Sequence, residues 1–176
     1  MHRRRFIISF IALGGLAAGG TSLWFSQLKN QKDLSVATLL QVLQALSSQN
    51  LKFSGTWNAF QTSSHLAQSI EYSMTGYPQH KSDIFKTVIG KSAFSFFARQ
   101  GSMSHNLSQA IPGAPLINPI GPTQQALSRL VSAIKAFDSF RGKLQPHFAY
   151  GELSHAEYAC AHVMHVYNHF EELIVS

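Results

Sequence analysis

Apolar residues recur along this chain at intervals of three and four, a period that predicts helices. Val36, Leu39, Leu40, Leu43 and Leu46 make one stripe, on a helix from about Ser35 to Ser48. Leu66, Ala67, Ile70 and Met74 make a second. Its helix begins near Trp57 or Asn58 and stops before Gly76-Tyr77-Pro78, where glycine and proline both end it. Leu127, Leu130, Val131, Ile134 and Phe137 make a third, between Thr123 and Phe140. The last helix, Ser154 to Leu173, is the best marked. Ser154 with Glu157 three residues on is a capping box. Ala159, Val163, Val166, Phe170 and Leu173 then carry its stripe.

The intervening segments lack that pattern, with one exception. Asn50 to Gly55 reads as a loop, and Arg141 to Leu153 as a turn-rich lead into the last helix. Ser82 to Arg99 reads as an extra helix dense in aromatics, Phe85, Phe94, Phe96 and Phe97, which plain packing explains. Gly101 to Pro122 is a long connection holding Pro112, Pro115, Pro119 and Pro122. So long a stretch without regular structure is uncommon in a compact domain unless it covers something. Four helices with one apolar stripe each argue for an all-α four-helix bundle.

Composition changes this picture mainly at the N-terminus. A chain of 176 residues has room for one core without staples. Its single cysteine, Cys160, cannot form an internal disulfide and reads as a small buried side chain. The net charge of +6 suggests nucleic acid until the charges are located. Arg3, Arg4, Arg5, Lys29 and Lys32 all precede the first acid, Asp33, and the other nine basic residues face eight acidic ones. A body so nearly neutral gives no sign of nucleic-acid binding.

Residues 1–32 therefore separate from the domain at 33–176. His2-Arg3-Arg4-Arg5-Phe6-Ile7 and the apolar run to Phe25 have the layout of an export signal. Arg3-Arg4-x-Phe6-Ile7 resembles the twin-arginine signal of bacteria. The twenty residues from Phe6 to Phe25 also suffice to span a bilayer, with the arginines cytoplasmic and Trp24 at the far interface. Ala17-Ala18-Gly19 leaves cleavage open. The expectation is a protein of the bacterial periplasm, exported and held to the inner membrane by its N-terminal segment.

The candidate chemistry lies in the last helix. His162, His165 and His169 fall on a second stripe, roughly 90° from the core stripe at ~100° per residue. His165 and His169, four apart, project from neighbouring turns and are spaced to share a metal ion. The zinc-protease form of this motif needs Glu after the first histidine; Val166 stands there. Two histidines also need another protein ligand to hold a metal firmly. His65, which flanks the apolar face of the second helix, supplies it if the helix directions allow. His165 and His169 lie roughly 16 and 22 Å along the last helix from Ser154, near its end, whereas His65 is near the start of its own. The two helices must then be antiparallel. Short loops make the first and last pairs antiparallel too, so the middle helices are parallel and residues 76–122 are the crossover. The order is up, down, down, up. Of the remaining histidines, His162 is either a hydrogen-bond donor behind a ligand or a surface residue. His105 and His147 sit in loops that line a cavity mouth or are simply solvated. His2, His80 and His155 read as surface residues.

Trp57, His65 and Leu66 in a Trp-x7-His-Leu context, with His165-x3-His169 late in the last helix, resemble the DinB-like (DinB/YfiT) superfamily. The likeness is closest to a bacterial branch of unknown function. It rests on His65-Leu66-Ala67-Gln68-Ser69-Ile70-Glu71-Tyr72, Gly101-Ser102-Met103-Ser104-His105 and Gln145-Pro146-His147-Phe148-Ala149-Tyr150-Gly151-Glu152-Leu153, and it spans roughly residues 35–173. The resemblance implies an up-down-down-up four-helix bundle in which His65, His165 and His169 bind a divalent metal, zinc or nickel. It also implies a small-molecule substrate and either thiol-dependent transfer or hydrolysis, with a non-catalytic metal- or ligand-binding protein as the alternative. Relatives often have two adjacent histidines and a Gln in the last helix, where this chain has Asn168-His169 and Glu171-Glu172. No catalytic residue follows from the sequence. Gly101 to Pro122 is expected to limit access to the metal.

Overall fold

The computed structural model describes residues 33–175. It is mostly helical. Five helices, α1 (Val36–Leu46), α2 (Ala59–Thr75), α3 (Lys91–Gln100), α4 (Thr123–Ser139) and α5 (His155–Phe170), are accompanied by two short strands, β1 (Leu51–Phe53) and β2 (Leu173–Val175). The export signal or anchor expected in residues 1–32 lies outside the described residues. Among the described residues, no helix is long and apolar enough to cross a membrane.

The stripes read from the sequence meet in one core. Leu39 and Leu43 of α1, Leu66 and Ile70 of α2, Leu130 and Ile134 of α4, and Val163 and Val166 of α5 are all almost fully shielded. Contacts along these helices fix their relative directions. Asn58, at the head of α2, donates to the Pro119 carbonyl just ahead of α4, and Glu71 further along α2 pairs with Arg129 of α4. Those two helices run the same way. Phe137, near the end of α4, stacks on His155 at the start of α5, so these two run oppositely.

The sequence reading needs three corrections. The last helix ends at Phe170, not Leu173. Leu173-Ile174-Val175 is instead a strand, antiparallel to Leu51-Lys52-Phe53 in the segment expected to be a loop. Alternation accounts for it: Leu51 is buried, Lys52 exposed and Phe53 half-buried, the period of a half-covered strand. The ladder ties the end of α5 to the approach to α2, and an all-α reading missed it. Second, the extra helix is not uniform. A single turn at Asp83–Phe85 runs into a π-helical turn, Lys86–Gly90, and only then into α3. Of its aromatics Phe94 alone is buried, and Phe96 is 62% exposed, so packing explains only part of their density. Third, Cys160 is half-buried rather than buried.

A smaller cluster of Phe94, Met103, Ala161 and Met164 fastens α3 and the crossover onto α5. Gly90 touches the Ala149 carbonyl so closely that a Cβ there would overlap it. The turn it touches is held by reciprocal bonds, His147 N to Gly151 O at 2.8 Å and Gly151 N to His147 O at 3.1 Å, with Gly151 at a φ of +80° that favours glycine.

Candidate metal centre

Two capping boxes set the helices that carry the histidines. Asn58 Oδ1 accepts from the Gln61 backbone at 2.9 Å while Gln61 Oε1 accepts from the Asn58 backbone at 3.2 Å. Ser154 and Glu157 repeat the arrangement at α5. Each such cap stabilises a helix start by ~1 kcal/mol. With α2 begun there, His65, Ser69 and Ser73 follow at intervals of four and lie along one side, and all three are buried. They face the His162, His165, His169 side of α5. His65, early in α2, meets His165 late in α5, and Ser73, late in α2, meets His162. The two helices are antiparallel across a polar seam.

At the head of α2 the seam gathers His65, His165 and His169, as the spacing predicts, and adds His105 from the crossover. His65 Nε2 and His165 Nε2 are 3.3 Å apart. Ring centroids are 5.1 Å apart for His65 and His169, 5.0 Å for His165 and His169, and 5.0 Å for His105 and His165. One nitrogen from each of the four rings lies within 4.8 Å of the others. Donors ~2.0–2.1 Å from a tetrahedral ion stand ~3.4 Å apart, which the His65–His165 pair matches. The full set is looser, so to bind together the rings must draw in by about an ångström or one donor must stand off. His105 sits on irregular backbone and is the ring free to do either. Trp57 closes one side, edge-on to His65 at 4.9 Å and parallel to His169 at 6.3 Å.

The chemistry of these atoms fits a cation. His65 and His169 are 3% and 1% exposed. His65 Nδ1 and both nitrogens of His169 are shut off from solvent and have no hydrogen-bond partner. A buried imidazole nitrogen left unpaired costs about 1–3 kcal/mol, so such atoms call for a ligand. Burial also keeps the rings neutral, the form that binds metals. It depresses the pKa of His65 to about 4, with His105 adding repulsion, and that of His169 to about 2, with His65 and His105 adding theirs. His165 is held well below its usual value, first by burial and then by the neighbouring histidines. His105 is lowered by burial, which the Asn168 side chain partly opposes. Among the described residues this is the one group of three or more His, Cys, Asp or Glu placed to hold a metal ion.

Sequence reasoning left His105 either at a cavity mouth or simply solvated and did not count it a ligand. Its signal was Gly101-Ser102-Met103-Ser104-His105, in which the buried Met103 pins the loop against α5 two residues before the histidine.

A cavity of about 280 Å³ opens from this cluster. Its walls include Met103, Ile111 and Pro112 of the crossover, so that segment does cover the site. Its other end is formed by His147, Tyr150 and His162. His162 and His147 are therefore neither surface residues nor simply solvated; both are buried. His162 Nε2 is 3.1 Å from Ser73 Oγ, and His147 Nδ1 accepts from the backbone N–H groups of Ala149 and Tyr150, both at 3.1 Å. Burial lowers the pKa of each to about 3. His155 also departs from a surface reading, stacking on Phe137 at 4.5 Å with Nε2 3.0 Å from the Phe137 carbonyl. His80 is exposed, as read.

Residues 27–175 match the family described as "Protein of unknown function (DUF1569)", and the chain belongs to that family. Comparison with curated proteins and with solved structures gives no match.

Proposed function

We propose that this member of the DUF1569 family is a divalent-metal-binding protein whose ligands are His65, His165 and His169, joined by His105 from the crossover. One observation carries the reading: a nitrogen from each of the four rings lies within 4.8 Å of the others, and neither buried nitrogen of His169 has a hydrogen-bond partner. Imidazole donors suit zinc or nickel. The parallel pair α2 and α4, each antiparallel to α5, supports an up-down-down-up four-helix bundle of the DinB-like kind, with residues 76–122 as its crossover.

The cavity against His65, His105 and His165 favours chemistry on a small molecule over a purely structural ion. A bound divalent ion would supply Lewis acidity there. The chain's own residues hold that ion, exclude bulk water through Met103 and Ile111, and orient the guest. The reading is a metal-dependent transferase or hydrolase; a metal or ligand carrier using the same pocket is the alternative. Turnover of a thiol adduct or an ester by the metal-loaded protein, absent from the apo form, separates the two. We further propose that residues 1–32 export the domain and anchor it to the inner membrane on the periplasmic side. Replacing Arg3 and Arg4 by Lys should then trap folded protein in the cytoplasm, and unchanged export would refute it.

Metal analysis of the purified, tag-free protein tests the central claim. One equivalent of divalent ion is expected in the wild type and none in His169→Ala. A wild type that never holds metal would leave the histidines as packing alone.

A further inference from the structure

The cavity has a second polar end, and its hydrogen bonds fix which protons its histidines carry. Ser73 Oγ donates its single proton to the Ile70 carbonyl at 2.6 Å. It can therefore only accept from His162 Nε2 at 3.1 Å, which puts the His162 proton on Nε2 and leaves Nδ1 as a bare lone pair. His147 is fixed the opposite way. Two backbone N–H groups donate to its Nδ1, so that atom is unprotonated and Nε2 carries the hydrogen. Neither His162 Nδ1 nor His147 Nε2 has a hydrogen-bond partner among the described residues. Both rings line the cavity. One wall thus offers an acceptor and the other a donor, each of settled identity.

The surroundings hold this pair in place. The His147–Gly151 turn is clamped by its two backbone bonds and by Gly90 pressed against Ala149. Tyr158 packs against both rings, 5.3 Å from His162 and 6.1 Å from His147, with its hydroxyl donated to Gln145 O at 2.7 Å. Ser73 is eight residues from His65 on α2, so this end lies ~12 Å from the metal histidines. Between the ends only Ser69 adds a hydroxyl to that helix's wall, and Met103, Ile111 and Ala161 are apolar.

We propose that this end recognises a neutral group that both accepts and donates a hydrogen bond, a primary amide, on a small molecule whose other end reaches the metal histidines. The amide oxygen accepts from His147 Nε2–H and an amide N–H donates to His162 Nδ1. A carboxylate satisfies the first contact but sets its lone pairs against the second. It is rejected by repulsion and by leaving a buried acceptor unpaired; Lys81 also lines the cavity, but it is exposed and its ammonium lies over the Phe85 ring at 6.0 Å. The apolar middle takes an alkyl spacer, and 280 Å³ is below the range of drug-sized pockets, so the guest is small. This assignment rests on reading the cavity as the ligand site of the metal centre, but its polar end is independent of the ion.

Nitrogen-15 spectra of the histidine rings in the full chain test the premise without any variant. Both His147 and His162 are expected as neutral rings protonated at Nε2; the opposite tautomer at either would overturn the proposal. Titration with hexanamide, N,N-dimethylhexanamide and hexanoate tests the recognition. Hexanamide should shift the His147 and His162 resonances and bind at least tenfold more tightly than either analogue. Equal binding of all three, or shifts confined to other residues, would overturn it. The same titration in His169→Ala separates this claim from the metal reading. Discrimination that survives there while metal is lost supports the amide end. Metal retained by wild type with no discrimination sinks the amide end alone.

Discussion

Two groups of buried histidines face one another down the seam between α2 and α5, and they are finished differently. At one end His147 and His162 each have one nitrogen satisfied by a serine hydroxyl or by backbone amides, and both rings line the cavity. At the other end His169 has neither nitrogen paired, and His65 Nδ1 is likewise alone. Both groups are equally deep, and burial depresses the pKa of both. Burial therefore does not explain the difference; partners do. Where this fold anchors a buried imidazole it supplies a partner for one nitrogen; the end whose His169 has no protein partner at all is the one suited to an ion.

The comparison breaks most visibly under substitution. His169→Ala should remove all stoichiometric metal, yet destabilise the metal-free protein less than loss of a hydrogen-bonded buried histidine, although it too opens a void. It deletes two unpaired buried nitrogens and leaves Val163, Val166 and Phe170 in the core. His162→Ala should do the reverse. It strips Ser73 of its donor and opens a void, costing about 2–4 kcal/mol, while metal content is kept. Urea unfolding of the metal-free proteins beside metal analysis checks both. Loss of metal in both variants alike would erase the distinction.

Acid is the next lever. His147 and His162 have folded-state pKa values of about 3, below the ~6.5 of an unfolded imidazole. The unfolded chain therefore takes up protons first. Stability is complete above pH ~6.5 and falls as pH drops towards 3, by up to ~1.4 kcal/mol per pH unit for each ring. The groups near this pair include His155, Tyr77 and Tyr158; none is a carboxylate that would hold a proton on either ring. His162→Phe should flatten the decline between pH 6 and 4 in urea melts of metal-free protein. An unchanged slope would mean that His162 does not contribute to it.

How much of this was legible in the sequence follows from the physics of each part. Stripes such as Leu39-Leu43-Leu46 are local and periodic, so helix positions and core faces could be read directly. His65, His165 and His169 could be brought together because depth along a helix is countable at a fixed rise per residue. His105 could not be placed this way. It lies on irregular backbone, where no period relates sequence distance to position, and only the buried Met103 beside it hinted at docking. The β1–β2 ladder was hidden for a similar reason. Three residues of alternation are too few to tell a strand from a loop, and the pairing joins residues over a hundred positions apart. The partners of His147 and His162 are a turn and a serine, Ser73, that appears in the sequence as one more polar position on α2.

His105 sharpens the comparison by standing between the two kinds of histidine. It belongs to the metal cluster but comes from the crossover and is itself exposed. His105→Ala should weaken metal binding by about 10–100-fold without abolishing it, in the range seen when a supporting group of a metal site is removed. Stability of the metal-free protein should fall only slightly, because the ring is exposed and its polar contact within the protein is with the Asn168 side chain. Competition with a chelator of known affinity measures the effect. Complete loss would make His105 as essential as His169, and no change would make it a neighbour of the site only.

The smallest effect is expected at His155, which tests whether position on α5 or pairing decides a histidine's role. His155 lies on the same helix as His162, His165 and His169 and has a partner, the Phe137 carbonyl, but it is only half-buried and meets the seam through Phe137, against which His162 also packs. Its ring stacks on Phe137 at 14° between planes, holding the end of α4 against the start of α5. His155→Ala should lose that stack and one partly solvated hydrogen bond, about 1 kcal/mol in all. Metal content should not move. His80→Ala, at an exposed ring with only an edge contact to Tyr77 at 6.4 Å, should change neither quantity measurably. If His155→Ala lowered metal content, the influence would have to travel along α5 through His162. The two ends of the seam would then be one coupled unit, not two separate devices.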